Sequence, residues 1–240
     1  MLQLLPPLLL AALPPTPAVA AVTISNKEPR LDTAGRVVNC HDGNIVGPLN
    51  GTYFLYGEWY GDYNFVVGGE NDLPKLSVYS SPTLASGSWT FEGLLHNNTD
   101  PPWTASPRWP WAPHGAWYSP SAVWSEARQK VILYWSASQE ECCAAQWGVA
   151  QSDDGVHFEL VTMTAQAGIN SSLDDSSLLI DDDGVGYVAY TAMDPGKHRQ
   201  NHQVAIDRLA PDLLSSSGET VAVLQDYFVE VAPLPPSPGY

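Results

Sequence analysis

A chain of 240 residues with 44% hydrophobic content is long enough to bury one sizeable core. Its net charge of −16 excludes nucleic-acid binders, which displace phosphate counterions with Lys and Arg. Nine Trp, eleven Tyr, nineteen Gly and twenty-one Pro, without long heptads, exclude a helical bundle and predict a turn-rich all-β fold. The surplus of acids serves solubility, and it leaves room for a cation or for neutral sugars, whose hydroxyls donate to carboxylates.

Residues 1–20 read as a secretory signal. Leu4 to Leu13 is apolar but too short to span a bilayer, and Ala18-Val19-Ala20 is a small-residue cleavage pattern. A secreted, extracellular protein with no membrane partner is therefore expected, and the sequons at Asn50, Asn97 and Asn170 fit export. Residues 21–240 read as one partial β-propeller domain. It opens with an N-terminal arm from Val22 to Gly35 and then falls into three groups of four strands.

The first group is predicted over Val37–Val46, Thr52–Tyr56, Leu76–Ser80 and Trp89–Leu94, its first hairpin turning at Asn50-Gly51. A Pro- and Trp-rich loop follows from Pro101 to Pro113; its aromatics either floor a sugar site or pack on a blade edge. The second group takes Ala122–Trp124, Val131–Trp135, Trp147–Gln151 and His157–Val161. The third takes Ser177–Ile180, Tyr187–Thr191, Gln203–Ile206 and Thr220–Leu224. Successive groups start ~60–80 residues apart, a repeat length that fits propeller blades. A propeller places the start of every first strand around one central pocket. The tail from Pro233 to Tyr240, with four prolines, reads as loop.

Between the second and third groups' strands lie two acidic turns. Ser152-Asp153-Asp154-Gly155-Val156-His157-Phe158 has the shape of an Asp-box, a hairpin in which Asp side chains hold a turn over an aromatic, and its role is structural. Asp181, Asp182 and Asp183 sit at a hairpin tip without the alternation of a calcium loop, so a solvated turn is expected. Cys142 and Cys143 are adjacent and lack zinc spacing, so no cysteine-bound metal is expected. Cys40 and these two either form one disulfide or are small buried side chains.

Asp42 and Asp175 stand where two inner strands are expected to begin, far apart in sequence yet near one axis. Glycoside hydrolysis needs two carboxyl groups in different surroundings, one to protonate the leaving oxygen and one to activate water or attack carbon. The alternative for each is a local job, Asp42 capping a turn and Asp175 pairing with a nearby donor.

Asp42-Gly43-Asn44-Ile45, Gly51 through Glu58, and Asp175 through Asp181-Asp182-Asp183-Gly184 together resemble the family 43 glycoside hydrolases. His41, the Tyr-Gly-Glu ending at Glu58, and Tyr79-Ser80-Ser81 leading to Trp89 bring the likeness nearest to the exo-β-1,3-galactanase branch, although that branch carries glycine where Asp42 stands. The resemblance implies a five-bladed β-propeller, of which this chain would supply about three blades and the start of a fourth. It implies an inverting mechanism with Asp42 as general base, Asp175 orienting and tuning the acid, and Glu230, ahead of Ala232-Pro233, as general acid. His41, Glu58 and Trp59 are expected to border the sugar.

The expected partner is a polysaccharide or oligosaccharide of galactan, arabinan or xylan type. No cofactor is expected, and a hydrated calcium on the axis, as in some relatives, is the one metal the resemblance allows. The competing readings are a non-catalytic glycan-binding propeller and an inactive truncated product.

Overall fold

The computed structural model describes residues 24–25, 27–60, 75–95, 116–138, 146–169, 172–193 and 203–224. Among them are twelve strands and no helix. The first sheet holds β1 (His41–Leu49), β2 (Thr52–Trp59), β3 (Lys75–Ser81) and β4 (Thr90–Leu94). The second holds β5 (Ala116–Ser125), β6 (Lys130–Ser138), β7 (Gln146–Ser152) and β8 (Glu159–Ala165). The third holds β9 (Ser172–Ile180), β10 (Gly186–Met193), β11 (Gln203–Leu209) and β12 (Ser216–Leu224). Each sheet is a four-stranded antiparallel meander in chain order, which is a propeller blade, and three such blades make an incomplete propeller.

The blades stack face to face, and β6 shows why. Val131, Ile132, Leu133, Tyr134 and Trp135 form an unbroken apolar run, and all five are fully buried. Alternation sends Val131, Leu133 and Trp135 toward the first blade, where they meet Phe54, Tyr56 and Val78. Ile132 and Tyr134 go the other way, onto Leu178, Val188 and Tyr190 of the third blade. A strand buried on both faces has no polar face to show in its sequence. The first blade's other face carries Leu55, Tyr79 and Trp89, with Val38 and Cys40 of the arm packed against them. The arm is pinned there by backbone bonds, the Thr33 N–H donating to the Trp89 carbonyl and the Gly87 N–H to the Leu31 carbonyl, both at 2.8 Å. On the third blade Leu179 and Val221 lie exposed.

Polar clasps repeat between successive blades. The Asn44 amide donates to the Ala122 carbonyl and accepts from its N–H, both at 2.8 Å, so it mimics a strand partner across the blade gap. One blade on, the Ser121 hydroxyl accepts the Leu178 N–H at 2.8 Å. Nearer the rim, the Tyr56 hydroxyl donates to the Gly155 carbonyl at 2.8 Å and the Tyr134 hydroxyl to the Leu213 carbonyl at 3.0 Å. Each tyrosine lies on the second strand of its blade and ends on the turn between the third and fourth strands of the next.

Gly155 belongs to the Asp-box turn, which is built as its sequence predicts. Ser152 Oγ accepts the Gly155 N–H at 2.9 Å, and Asp154 Oδ1 accepts the N–H groups of Val156 and His157 at 2.8 and 2.7 Å. Phe158 meets Tyr56 edge to face at 5.7 Å. The turn therefore joins two blades, and Asp154 is spent on it.

The predicted strands all exist, but β1 begins four residues later and β12 four residues earlier than expected, and two inner strands begin well before their expected starts. β5 starts at Ala116 and β9 at Ser172, so Asp175 lies inside its strand instead of ahead of it. The reason is a bulge in each inner strand. Asp42 and Gly43 together oppose Gly57, Ser119 and Pro120 oppose Trp135, and Asp174 and Asp175 oppose Thr191. An extra residue resets the alternation, and Pro120 withdraws a donor, so the strand signal breaks just there.

Removal of one clasp gives a direct measure of its worth. Tyr134→Phe leaves the ring in place but strips the buried Leu213 carbonyl of its donor. A loss of about 1–2 kcal/mol is expected, read from the denaturant midpoint at unchanged m-value.

Candidate active site

The three bulges bring one residue of each inner strand to a common point. Asp42 and Ser119 both adopt a positive φ of 49°, a left-handed conformation uncommon outside glycine. The first bulge is tight: a Cβ on Gly43 would lie 1.8 Å from the Tyr56 carbonyl oxygen, so only glycine fits beside Asp42. Ser119, at 3% exposure, occupies the centre. Its hydroxyl lies 2.9 Å from Asp42 Oδ2 and 2.7 Å from Asp175 Oδ1. Those two carboxylate oxygens are therefore at most about 5.6 Å apart (2.9 plus 2.7 Å), across 133 positions of sequence (175 − 42). Both acids are exposed, while the serine between them is not.

Glu58 stands behind this group. It is the last residue but one of β2, directly opposite His41, and is only 2% exposed. Oε1 accepts the Ser119 N–H at 2.6 Å, and Oε2 accepts the Tyr60 hydroxyl. Burial pushes the Glu58 carboxyl above the ordinary Glu range and the charge of Asp42 adds to the rise. The Tyr60 hydroxyl, the Ser119 N–H and His41 pull against it. Expected to accept sugar hydroxyls, Glu58 instead has both oxygens engaged by the protein, in the wall that holds Ser119.

Of the other expected residues, His41 lies across from Glu58 on β1 and Trp59 follows Glu58 on β2. His41 is exposed, with its ring edge-on to Tyr60 at 5.7 Å. Trp59 is half-buried at the end of β2 and carries the Lys75 ammonium 5.8 Å from its ring centroid. Glu230 lies outside the described residues, as do residues 1–20, the 101–113 loop, Cys142 and Cys143. Cys40 is a free thiol under the site, pushed up to about 12 by burial, which makes it an inert packing group. The acids of the Asp181–Asp183 tip cap their own turn, through Asp181 to the Asp182 N–H and Asp183 to the Val185 N–H. Among the described residues no group of three or more His, Cys, Asp or Glu is placed to hold a metal.

Sequence reasoning missed Ser119 and Tyr60. Ser119 was within reach, because Ser119-Pro120-Ser121 fills in the second repeat the place of Asp42-Gly43-Asn44 in the first and Asp174-Asp175-Ser176 in the third. Tyr60 carries no signal of its own; it follows strand β2 and matters only because Glu58 is buried.

Two exposed carboxylates on the inner strands of the first and third blades, meeting at a serine of the blade between and with a third carboxyl buried beside it, are an arrangement suited to glycoside chemistry. The sequence matches the Glycosyl hydrolases family 43 over residues 44–234. This chain belongs to that family. Among solved structures, the family 43 fold is matched by a β-1,3-galactosidase at 21% identity and a TM-score of 0.63, over 84% of this chain and 39% of that one. An exo-β-1,3-galactanase from Clostridium thermocellum is similar at 19% identity and a TM-score of 0.61, over 79% and 38%. One from Phanerochaete chrysosporium, solved with β-1,3-galactotriose, gives 15% and 0.59, over 81% and 41%. The chain thus spans about two fifths of the length of these proteins. No curated protein matches it.

The buried carboxyl sets a pH dependence of stability in this family 43 chain. Its folded-state pKa lies above the ordinary 4.5, so the fold favours the protonated form. The associated stability is complete below 4.5 and is lost as pH rises through the raised value. Glu58→Gln keeps the shape and cannot ionise. Denaturant midpoints across that range are expected to shift in favour of the variant as pH rises; a pH-independent difference would contradict the assignment.

Proposed function

We propose that this chain is a secreted, exo-acting glycoside hydrolase that removes sugars from the non-reducing end of a β-1,3-galactan by inversion. The observation that carries this reading is the convergence of Asp42 and Asp175 on the Ser119 hydroxyl, one residue from the inner strand of each of three successive blades. The likeness to galactan-directed family 43 proteins supports galactan ahead of arabinan or xylan.

Separation supports one division of roles. An inverting pair stands roughly 6.5–9.5 Å apart, leaving room for water and the sugar between acid and base. The facing oxygens of Asp42 and Asp175 lie within about 5.6 Å (2.9 plus 2.7 Å), which is too close for that pair. Asp42 is then the base that takes a proton from the attacking water. Asp175 is its neighbour, whose charge disfavours ionisation of a further carboxyl and so keeps the acid protonated. Glu230 is that acid. It gives its proton to the glycosidic oxygen as the C–O bond breaks, while water adds to the opposite face of the anomeric carbon. His41 and Trp59 flank the sugar. Glu58 acts from behind, through Ser119.

The test is to incubate the 240-residue chain with β-1,3-galactotriose, aryl β-galactoside, α-arabinofuranoside and β-xyloside, following the anomer released by proton NMR. Release of α-galactose from the β-1,3-linked substrate is expected. Asp42→Asn and Glu230→Gln should each lower kcat by about 10²–10⁴. Turnover unaffected by Asp42→Asn would overturn the base assignment. Calorimetric binding of galactotriose without release of any sugar would make this a glycan-binding propeller.

A further inference from the structure

We propose that Asn50, at the far end of the first blade, is an N-glycosylation site: its side-chain amide takes an oligosaccharide during export, clear of the face that carries Asp42. The proposal rests on the secretion part of the reading above. It concerns a group that the chemistry at Asp42 and Asp175 does not use.

Three observations carry the inference. The first is the hairpin that presents the acceptor. Leu49 pairs with Thr52 across a two-residue turn, in which Asn50 has a φ of 49° and Gly51 a φ of 82°. Positive φ at both central positions makes the primed turn that suits twisted strands. Asn50 and Gly51 are exposed at this tip, while Leu49 and Thr52 beneath them are half-buried. A Cβ built on Gly51 would meet nothing within 4 Å, so the space around the tip is open. A bulky group linked here extends into solvent.

The second is that both halves of the acceptor are free. Transfer needs Asn-Xaa-Ser/Thr with Xaa other than proline, and Asn50-Gly51-Thr52 meets that need. Neither the Asn50 amide nor the Thr52 hydroxyl hydrogen-bonds any described residue. Asn39 and Asn44 of the same blade are spent on the fold instead. Asn39 Oδ1 accepts the Tyr60 N–H at 3.2 Å, and Asn44 clasps Ala122. Asn97 and Asn170 lie outside the described residues, so the structural argument is made for Asn50 alone.

The third is position. β1 runs from Asp42 at the axis to the turn at Asn50, eight residues on (50 − 42). At about 3.3 Å per residue the tip lies roughly 20–26 Å from the site, at the opposite end of the blade. The neighbouring inner hairpins turn at the same end and carry charge there, Glu126 and Arg128 in the second blade and Asp181, Asp182 and Asp183 in the third. The Asn50-Gly51 tip has no charge. A glycan supplies the hydration that its neighbours draw from ionised side chains.

The donor is an oligosaccharide carried on a lipid diphosphate. Asn50 Nδ2 forms a C–N bond to its anomeric carbon as the C–O bond to phosphate breaks. The lipid diphosphate leaves with the electron pair, and the amide gives up one proton.

The test expresses the full chain in a eukaryotic secretory host in two versions, one with its own residues 1–20 and one with a proven cleavable leader in their place. Cell and medium fractions are treated with a peptide N-glycosidase, and mass spectrometry reads the peptide that holds residue 50. Asn50 is expected to carry glycan in both versions and to become Asp when the glycan is released. Thr52→Ser keeps the acceptor and should keep the glycan. Thr52→Val keeps a β-branched strand residue and should lose the glycan at Asn50. Asn50 found unmodified, or merely deamidated, in the version with the proven leader would overturn the proposal. Glycan on that version alone would remove the secretion reading and leave the acceptor site standing.

Placement is read separately. On β-1,3-galactotriose the glycosylated chain and the enzymatically deglycosylated one should agree within about twofold in kcat/KM. A larger difference would overturn the placement of the glycan away from the site. No turnover by either form would remove the glycosidase reading, with the glycan at Asn50 unaffected.

Discussion

Everything at the axis depends on a bulge in each inner strand. A regular strand alternates its side chains between the two faces of its blade, so none would point along the strand toward a shared centre. Inserting one residue breaks the alternation and frees a side chain from either face. In the first blade this needs Gly43, because the Tyr56 carbonyl occupies the space of a Cβ. In the second it uses Pro120, which gives up a ladder donor where the ladder is already broken. The site is thus a by-product of defects placed at matching points of the three inner strands.

Packing between the blades is what makes those defects precise in space. The second blade is gripped on both faces, with Phe158 edge-on to Tyr56 of the first blade at 5.7 Å and Trp147 edge-on to Tyr190 of the third at 5.0 Å. Apolar contact alone would let one blade slide on the next. The clasps forbid that, since Asn44 can make its paired contacts to Ala122 in one register only. Asn44 lies next to the bulge that carries Asp42, and Ser121 next to the bulge that carries Ser119. The residues that fix blade to blade are therefore neighbours of the residues that form the site. Motion of either acid relative to Ser119 would require breaking a clasp.

The blades were legible from the chain because their chemistry is local. Asn50-Gly51, Asp181 through Gly184 and the Asp-box each announce a turn, and Thr52–Tyr56 and Val131–Trp135 announce strands. Convergence of Asp42 and Asp175 was legible through repetition alone, since equivalent strands of a propeller must share an axis. The start of β9 was not legible. Asp174 and Asp175 are poor strand formers, and a bulge is what lets a strand contain them. The burial of Glu58 was hidden for a different reason. Gly57-Glu58-Trp59-Tyr60 reads as a strand end reaching solvent, and only the packing of the second blade turns it inward. What a residue faces from another blade is long-range information that no local pattern holds.

A chain of net charge −16 that gathers three carboxyl groups at one point faces a repulsion problem. Each of the three meets a different solution. Asp42 and Asp175 stay at the surface, where water screens them, and Ser119 lies between them as a donor. Glu58 is placed where water cannot reach and receives an O–H from Tyr60 and an N–H from Ser119 in its place. Burial then works in the same direction as the nearby Asp42, since both favour the neutral form of Glu58. The serine takes part in both solutions at once, through its amide on one side and its hydroxyl on the other. A change at Glu58 is consequently felt at Asp42 and Asp175 without any contact between them, because the backbone of Ser119 is the lever that connects the buried acid to the exposed pair.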